Sequence, residues 1–156
     1  MGAEVGPQAW PSSHARGGVS PPLETIQKAA HGMIAYLDTH TAIKLVRGGK
    51  IGREASRLMR KAELLLAPIA LLELEYLFEI GRLTIPGKDL IRKLEHEIGL
   101  KLCDLPFPAV AEAALAEKWT RDIFDRLLVA QAKTNGLAPL ISADEHIAQH
   151  YPRTVW

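Results

Sequence analysis

The sequence predicts an α/β fold, a three-layer α/β/α sandwich around a central, mostly parallel sheet. Three observations carry the prediction. Apolar runs of strand length alternate with helical patterns of about ten residues, an alternation that joins parallel neighbours through right-handed crossovers. The 156 residues are 47% apolar and 24% charged, which is the composition of a globular chain with a single core. Acidic residues fall just past the C-terminal ends of predicted strands, where open α/β sheets keep their binding crevice.

Residues 1–32 carry Pro7, Pro11, Pro21 and Pro22 among several Gly and Ser and show no sustained periodicity. They hold too little apolar surface to offset the entropy of ordering, so a disordered or tag-like leader is expected, with the domain proper at 33–156. Within the leader only Leu23 to Ala30 has a short helical pattern. Met33-Ile-Ala-Tyr-Leu37 reads as a strand. It meets Asp38-Thr-His-Thr41, after which Ala42, Ile43, Leu45 and Val46 recur at helical spacing until Gly48-Gly49. A second helix is expected over Ile51 to Ala62, then a buried strand at Leu64 to Ala67 punctuated by Pro68. A helix follows from Ile69 to Ile80, stopped by Gly81 and carrying Glu73 in its first half. The segment Lys88 to Ile98 is amphipathic through Leu90, Ile91, Leu94 and Ile98, and Gly99 ends it. A third strand is expected at Leu100 to Asp104. Pro106 and Pro108 then break the chain before a helix from Ala109 to Lys118. The next helix runs from Asp122 to Asn135-Gly136. It is followed by a strand at Ala138 to Ser142, a short helix from Ala143 to His150 opened near Asp144, and an edge strand from Arg153 to Trp156.

Charge and cysteine content narrow the classes of function. Lys and Arg outnumber Asp and Glu by 19 to 18, so the total advertises no nucleic-acid partner, although four acids gathered in one pocket would leave 19 basic against 14 acidic residues elsewhere. Arg53, Arg57, Arg60 and Lys61 form a basic stripe, whose ordinary reading is a solvated helix face. Apolar runs such as Leu64 to Leu72 fall short of the roughly 20 residues that cross a bilayer. Met1 to Gly32 has no continuous apolar segment of the kind a signal peptide needs, so a cytoplasmic protein without a membrane partner is expected. The single cysteine, Cys103, can form neither an internal disulfide nor a cysteine-rich zinc site and reads as a small buried hydrophobe.

Asp122-Ile-Phe-Asp125 sets two carboxylates one turn apart at the start of an apolar helix, on one face and near the positive end of its dipole. They form either a cap, with Asp125 reaching back to Asp122 in a variant capping box, or part of a site. Asp38 and Asp144 lie just past strand ends, and Glu73, Asp122 and Asp125 lie at or near helix starts able to point into the same crevice. That convergence favours a site. Thr39 and Ser142 can either polarise it through hydroxyl hydrogen bonds or cap the helices that follow. Other constellations are thinner. Asp38-Thr-His-Thr lacks the second acid, two residues on, of an aspartyl-nucleophile phosphatase. His146 and His150 are spaced like a zinc pair but have no third ligand nearby, and read as helix surface.

Several stretches in order resemble the PIN-domain nucleases, and among them the VapC-type toxins of prokaryotic toxin–antitoxin pairs. They are Tyr36-Leu-Asp-Thr-His40, Leu72-Glu-Leu74, Glu79-Ile-Gly-Arg-Leu83, Arg121-Asp-Ile-Phe-Asp-Arg-Leu-Leu-Val-Ala-Gln131, and Ile141-Ser-Ala-Asp144 with the Trp-ending edge strand. The resemblance spans Met33 to Trp156. It implies that Asp38, Glu73, Asp125 and Asp144 are the acidic quartet that holds Mg²⁺ or Mn²⁺, with Asp122 an additional acid. Ile123 stands where many relatives have Pro, and Ser142 where many have Thr. It also implies an RNA substrate, a homodimer, and a cognate VapB-type antitoxin whose C-terminal peptide lies along the early helices. Apolar surface near Leu45, Leu58, Leu72 and Leu77 is expected to serve such partners.

Clustered carboxylates repel one another, so at least one is expected to have a raised pKa unless a cation is bound. Mg²⁺ takes one or two carboxylates directly, with Asp38 and Asp125 the expected direct ligands. Water attack on phosphorus, with Asp144 or Glu73 orienting the water, would leave a 5′-phosphate and a 3′-hydroxyl. The competing expectation is a catalytically silent PIN-like module that binds RNA or protein.

Overall fold

The computed structural model describes residues 32–156, so apart from Gly32 the expected leader lies outside the described residues. In chain order the elements are β1 (Ile34–Leu37), α1 (Thr39–Val46), α2 (Arg53–Met59), β2 (Glu63–Leu66), α3 (Pro68–Glu79), α4 (Gly87–Ile98), β3 (Lys101–Leu102), α5 (Phe107–Ala114), α6 (Ile123–Thr134), β4 (Leu140–Ile141), α7 (Glu145–His150) and β5 (Thr154–Val155). The strands form one parallel sheet in the order β3-β2-β1-β4-β5. Leu37 of β1 pairs with Leu66 on one side and Ile141 on the other. The chain leaves β1 towards β2 and β3 and later returns on the opposite side to β4. The strand order therefore reverses beside β1, which places the crevice of an open α/β sheet at the C-terminal ends of β1 and β4.

Alternation along the strands builds the three layers. Ala35, Leu37, Leu64, Leu66 and Ile141 pack with Ala42 and Ile43 of α1, Ala55 of α2, Leu74 of α3 and Leu90 and Leu94 of α4. The intervening Tyr36 and Leu140 pack on the other face with Leu128, Val129 and Ala132 of α6 and Ile147 of α7. α5 closes that layer by setting Val110 and Ala114 against Leu127 and Ala130 of α6. Successive strand residues point to opposite faces, so strands buried on both sides read as apolar runs without alternating polarity, as Leu64-Leu-Leu66 does.

The element ends depart from expectation most in two helices, and β3 and β4 are trimmed to Lys101–Leu102 and Leu140–Ile141. α5 spans Phe107–Ala114, where Ala109 to Lys118 was expected, and it starts early because Pro108 lies in the first turn, which needs no N–H from it. α2 covers only Arg53–Met59, so Arg60 and Lys61 of the basic stripe lie beyond it, and all four basic residues are at least partly exposed, as a solvated face requires. Gly99 closes α4 in the left-handed region at φ 69°, a conformation open to glycine at little cost. Among the described residues no helix is long and apolar enough to cross a membrane.

Two buried polar groups tie the α6 layer together. Cys103 is buried as expected, yet it also accepts hydrogen bonds from the Tyr36 hydroxyl (2.9 Å) and Gln131 Nε2 (3.2 Å), while Asn135 Nδ2 donates to the Tyr36 oxygen at 2.7 Å. Burial, first of all, pushes the Tyr36 phenol well above its usual pKa. The Glu117 side chain is only 4% exposed and accepts from Lys133 Nζ at 2.6 Å and Trp119 Nε1 at 2.7 Å. Lys133→Met leaves a buried carboxylate with a single neutral donor. The expected loss is about 2 kcal/mol in a denaturant titration, below the range for a fully buried pair because part of Lys133 remains in water. An unchanged midpoint would mean that the Glu117–Lys133 pair contributes nothing to the fold.

Candidate active site

Three of the five acids are fixed by capping a helix. Asp38, 3% exposed at the end of β1, accepts from the Thr41 N–H through Oδ1 (2.8 Å) and from the Ser142 hydroxyl through Oδ2. Ser142 follows β4, so this bond crosses the two strands that flank the crevice. Asp144 caps α7 through Oδ1, with the His146 and Ile147 N–H groups at 2.7 and 3.1 Å, and its own N–H donates to Ser142 Oγ at 3.0 Å. Asp122 caps α6 through Oδ1, which accepts from Phe124 N at 2.8 Å and Asp125 N at 3.5 Å. Each helix cap occupies one carboxylate oxygen, so capping and ligation are compatible roles for the same residue.

The remaining two acids project from helices into the same space. Glu73 lies in the second turn of α3, in the first half of the helix as expected, and receives the Thr39 hydroxyl on Oε2. The capping box considered for Asp125 does not form. The Asp122 N–H donates instead to Thr120 Oγ1 at 3.1 Å, and Arg126 Nε holds the Thr120 carbonyl at 2.6 Å. Thr39 and Ser142 likewise leave helix capping to Asp38 and Asp144 and turn their hydroxyls onto Glu73 and Asp38.

The five carboxylates share one electrostatic field. Burial raises Asp125 from its ordinary 3.8 to about 6, and the charges of Asp122, Asp144, Glu73 and Asp38 add to the rise, in that order. Burial also raises Glu73, against the Thr39 hydrogen bond and the nearby His40, which lower it, with Asp122 and Asp38 raising it further. Half-buried acids pushed upward by neighbouring acids mark a place arranged to receive positive charge.

Residues 35–151 match the PIN domain family. The chain belongs to the PIN domain family. Solved structures agree in fold. A toxin–antitoxin complex from Klebsiella pneumoniae matches with a TM-score of 0.53 at 16% identity, covering 78% of this chain and 96% of that one. VapBC2 from Rickettsia felis, bound to a DNA fragment from its promoter, matches with a TM-score of 0.54 at 16% identity over 79% and 96%. At that identity the likeness is one of fold. No curated protein matches the chain in sequence.

PIN nucleases generally use divalent metals, and the donor set of this PIN domain fits such an ion in chemistry: every acid offers hard oxygens, and Asp125 and Glu73 carry the strain of unneutralised charge. The side chains as placed are spread around the crevice. Among the described residues no three His, Cys, Asp or Glu side chains are gathered closely enough to hold one ion. An Mg²⁺ ion needs only one or two direct carboxylates, with water supplying the rest, so a spread arrangement is compatible with one.

Sequence reasoning did not single out Lys44 and Trp156, which line the crevice beside Asp38 and Asp144. The available signal was the i, i+4 spacing of His40 and Lys44 directly after Asp38, which puts both on one face of α1. His146 and His150 are exposed, as expected of a helix surface, and they pack with Trp119, whose ring lies 4.7 Å from that of His150 and nearly parallel to it.

Proposed function

We propose that this PIN domain is a divalent-metal-dependent endoribonuclease, the toxin of a toxin–antitoxin pair, comprising the chain from about residue 33 onward. PIN domains are generally nucleases. The observation that carries the metal-dependent reading is Asp125, whose carboxyl is raised to about 6 by burial and by four surrounding acids. In this reading Asp38 and Asp125 are the direct ligands of Mg²⁺ or Mn²⁺, and Glu73, Asp144 and Asp122 act from around them. When bound, the cation supplies Lewis acidity, activating water and offsetting the charge that builds on phosphorus.

The chain's own residues set the stage for that attack. The Ser142 and Thr41 bonds fix the Asp38 carboxylate, the Thr39 hydroxyl fixes Glu73, and the Asp144 cap holds its carboxylate at the mouth of the crevice. Glu73 or Asp144 orients the attacking water and takes its proton, and burial makes the Glu73 carboxylate the more basic for it. The products carry a 5′-phosphate and a 3′-hydroxyl. The test is cleavage of a labelled single-stranded RNA by the purified protein in Mg²⁺ or Mn²⁺. Arrest by a chelator and end-group analysis showing a 5′-phosphate are expected, and cleavage that persists in chelator would refute the mechanism.

Two surfaces support the partner part of the proposal. Leu72, Tyr76 and Ile80 stand at i, i+4 and i+8 along α3 and its C-cap and are 60, 49 and 46% exposed, an apolar stripe suited to a second copy of the chain. Of the four leucines expected to serve partners, Leu72 is the exposed one, and the other three are partly buried. Leu45, Leu58 and Leu77 pack against the main core. A separate groove of about 340 Å³, lined by Leu45, Ile51, Met59, Leu64 and Ile98 with Arg60 at its edge, offers a seat along the early helices for an apolar antitoxin peptide. A peptide that also places an Arg or Lys among the carboxylates competes with metal. Excess Mn²⁺ is therefore expected to weaken antitoxin inhibition in the cleavage assay. Inhibition that ignores Mn²⁺ would leave only an indirect block.

A further inference from the structure

Beside the acidic cluster opens a cavity of about 330 Å³, with Asp38, Asp144, His40, Lys44 and Trp156 among its walls. Its volume is at the small end of ligand sites, with room for one nucleotide and none for a duplex. Two of its walls are held in place. Lys44 Nζ lies 4.8 Å from the Trp156 ring centroid, a cation over an aromatic face. The loop after α1 packs backbone-first against the Lys44 side chain and the Trp156 main chain. A Cβ on Gly49 would stand 2.5 Å from Lys44 Cγ, and one on Gly52 would collide with the Trp156 backbone carbon. Lys44 therefore differs from an ordinary surface lysine: its stem is laid along the glycine loop and its ammonium is aimed over the indole.

We propose that this cavity seats the nucleotide adjoining the scissile phosphate of a single-stranded RNA, with Lys44 on a flanking phosphate and Trp156 against the base. The inference rests on the ribonuclease reading above and names residues that reading leaves unused. A phosphodiester approaching five carboxylates is repelled, and Lys44, with His40 one turn before it on α1, places donors at the rim of the cavity that Asp38 also lines. Lysine serves here as a point charge for phosphate. An aromatic ring takes a base of any identity, but only a base that has left its helix can reach it in a cavity this small.

The test is anisotropy of a short fluorescein-labelled single-stranded RNA of mixed sequence, titrated with the full chain in chelator across a range of salt, beside the Mg²⁺ cleavage assay. Lys44→Met is expected to weaken binding several-fold and to flatten the slope of log affinity against log salt by about 0.7, the value for a single neutralised phosphate on one strand. Lys44→Arg is expected to restore the slope. Trp156→Leu is expected to weaken binding about tenfold with the slope unchanged, and Trp156→Phe to recover most of it. If Trp156→Leu fails to fold, the Phe variant and the Lys44 pair still decide. Unchanged affinity and slope in Lys44→Met, equal losses on duplex RNA, or loss of antitoxin-peptide binding with RNA binding intact would each overturn the assignment. Wild-type cleavage would meanwhile leave the ribonuclease reading standing, whereas wild-type protein that neither binds nor cleaves RNA would remove both.

Discussion

Purified Asp125→Asn protein is expected to keep its fold and to lose metal-dependent RNA cleavage by a hundredfold or more, on the order of what removal of a metal-site group costs. The separation of the two effects comes from the structure. Asp122 supplies the cap of α6 and takes the Phe124 N–H, and Thr120 takes the Asp122 N–H, so the helix start does not depend on the Asp125 carboxylate. An amide of the same shape removes one charge from the cluster and leaves the helix intact. Asp38→Asn is expected to be equally inactive, but less neutral for the fold. Its side chain must serve the Thr41 N–H and the Ser142 hydroxyl together, and an amide has only one acceptor oxygen for them. Circular dichroism and a cleavage time course separate the cases, and induced expression adds growth arrest as a readout in cells. Full cleavage by the Asp125→Asn protein would return Asp122 and Asp125 to the plain role of a helix start.

The layers were legible in the sequence because the central strands are short apolar runs closed by a polar or breaking residue. Leu64-Leu-Leu66 before Pro68 and Met33 to Leu37 before Asp38 are the clearest examples. The positions of Asp38 and Asp144 were legible for the same reason, since a residue just past a parallel strand lies at the crevice. What the sequence could not carry is how each carboxylate is held. Thr39 and Ser142 were open between capping and polarising, and the choice depends on distances across β1, β4 and α3 that no local pattern encodes. The failed capping box at Asp125 has a similar origin, since Thr120, upstream of the motif, takes the Asp122 N–H. The early start of α5 was missed because a proline pair reads as a break, although proline in the first turn starts a helix as readily as it stops one.

Metal and protons are expected to compete for the fold, with Asp125 as the site of competition. The folded protein holds the Asp125 proton more tightly than the unfolded chain, at about 6 against an ordinary 3.8. Protonation therefore favours the fold. With respect to this group the metal-free protein is most stable below about pH 4, loses stability as pH rises through the interval, and has lost the whole contribution above about pH 6. Asp125 is only half-buried, so after discounting for solvent screening the contribution is on the order of 1 kcal/mol. A divalent cation reverses the sign by binding the ionised form. At about a hundred times its dissociation constant it adds roughly 2.7 kcal/mol, a rise of several degrees in Tm for a domain of this size. The rise is expected to be larger at pH 7 than at pH 4.5, where the proton occupies the site. Asp125→Asn is expected to flatten the pH profile between 4 and 6, to raise the metal-free Tm at pH 7, and to blunt the response to Mg²⁺ or Mn²⁺. Calorimetric scans of both proteins at the two pH values, with and without Mn²⁺, test each expectation in one experiment. A wild-type Tm indifferent to metal at pH 7, with the variant melting lower, would show that these carboxylates stabilise the fold as they stand and do not await a cation.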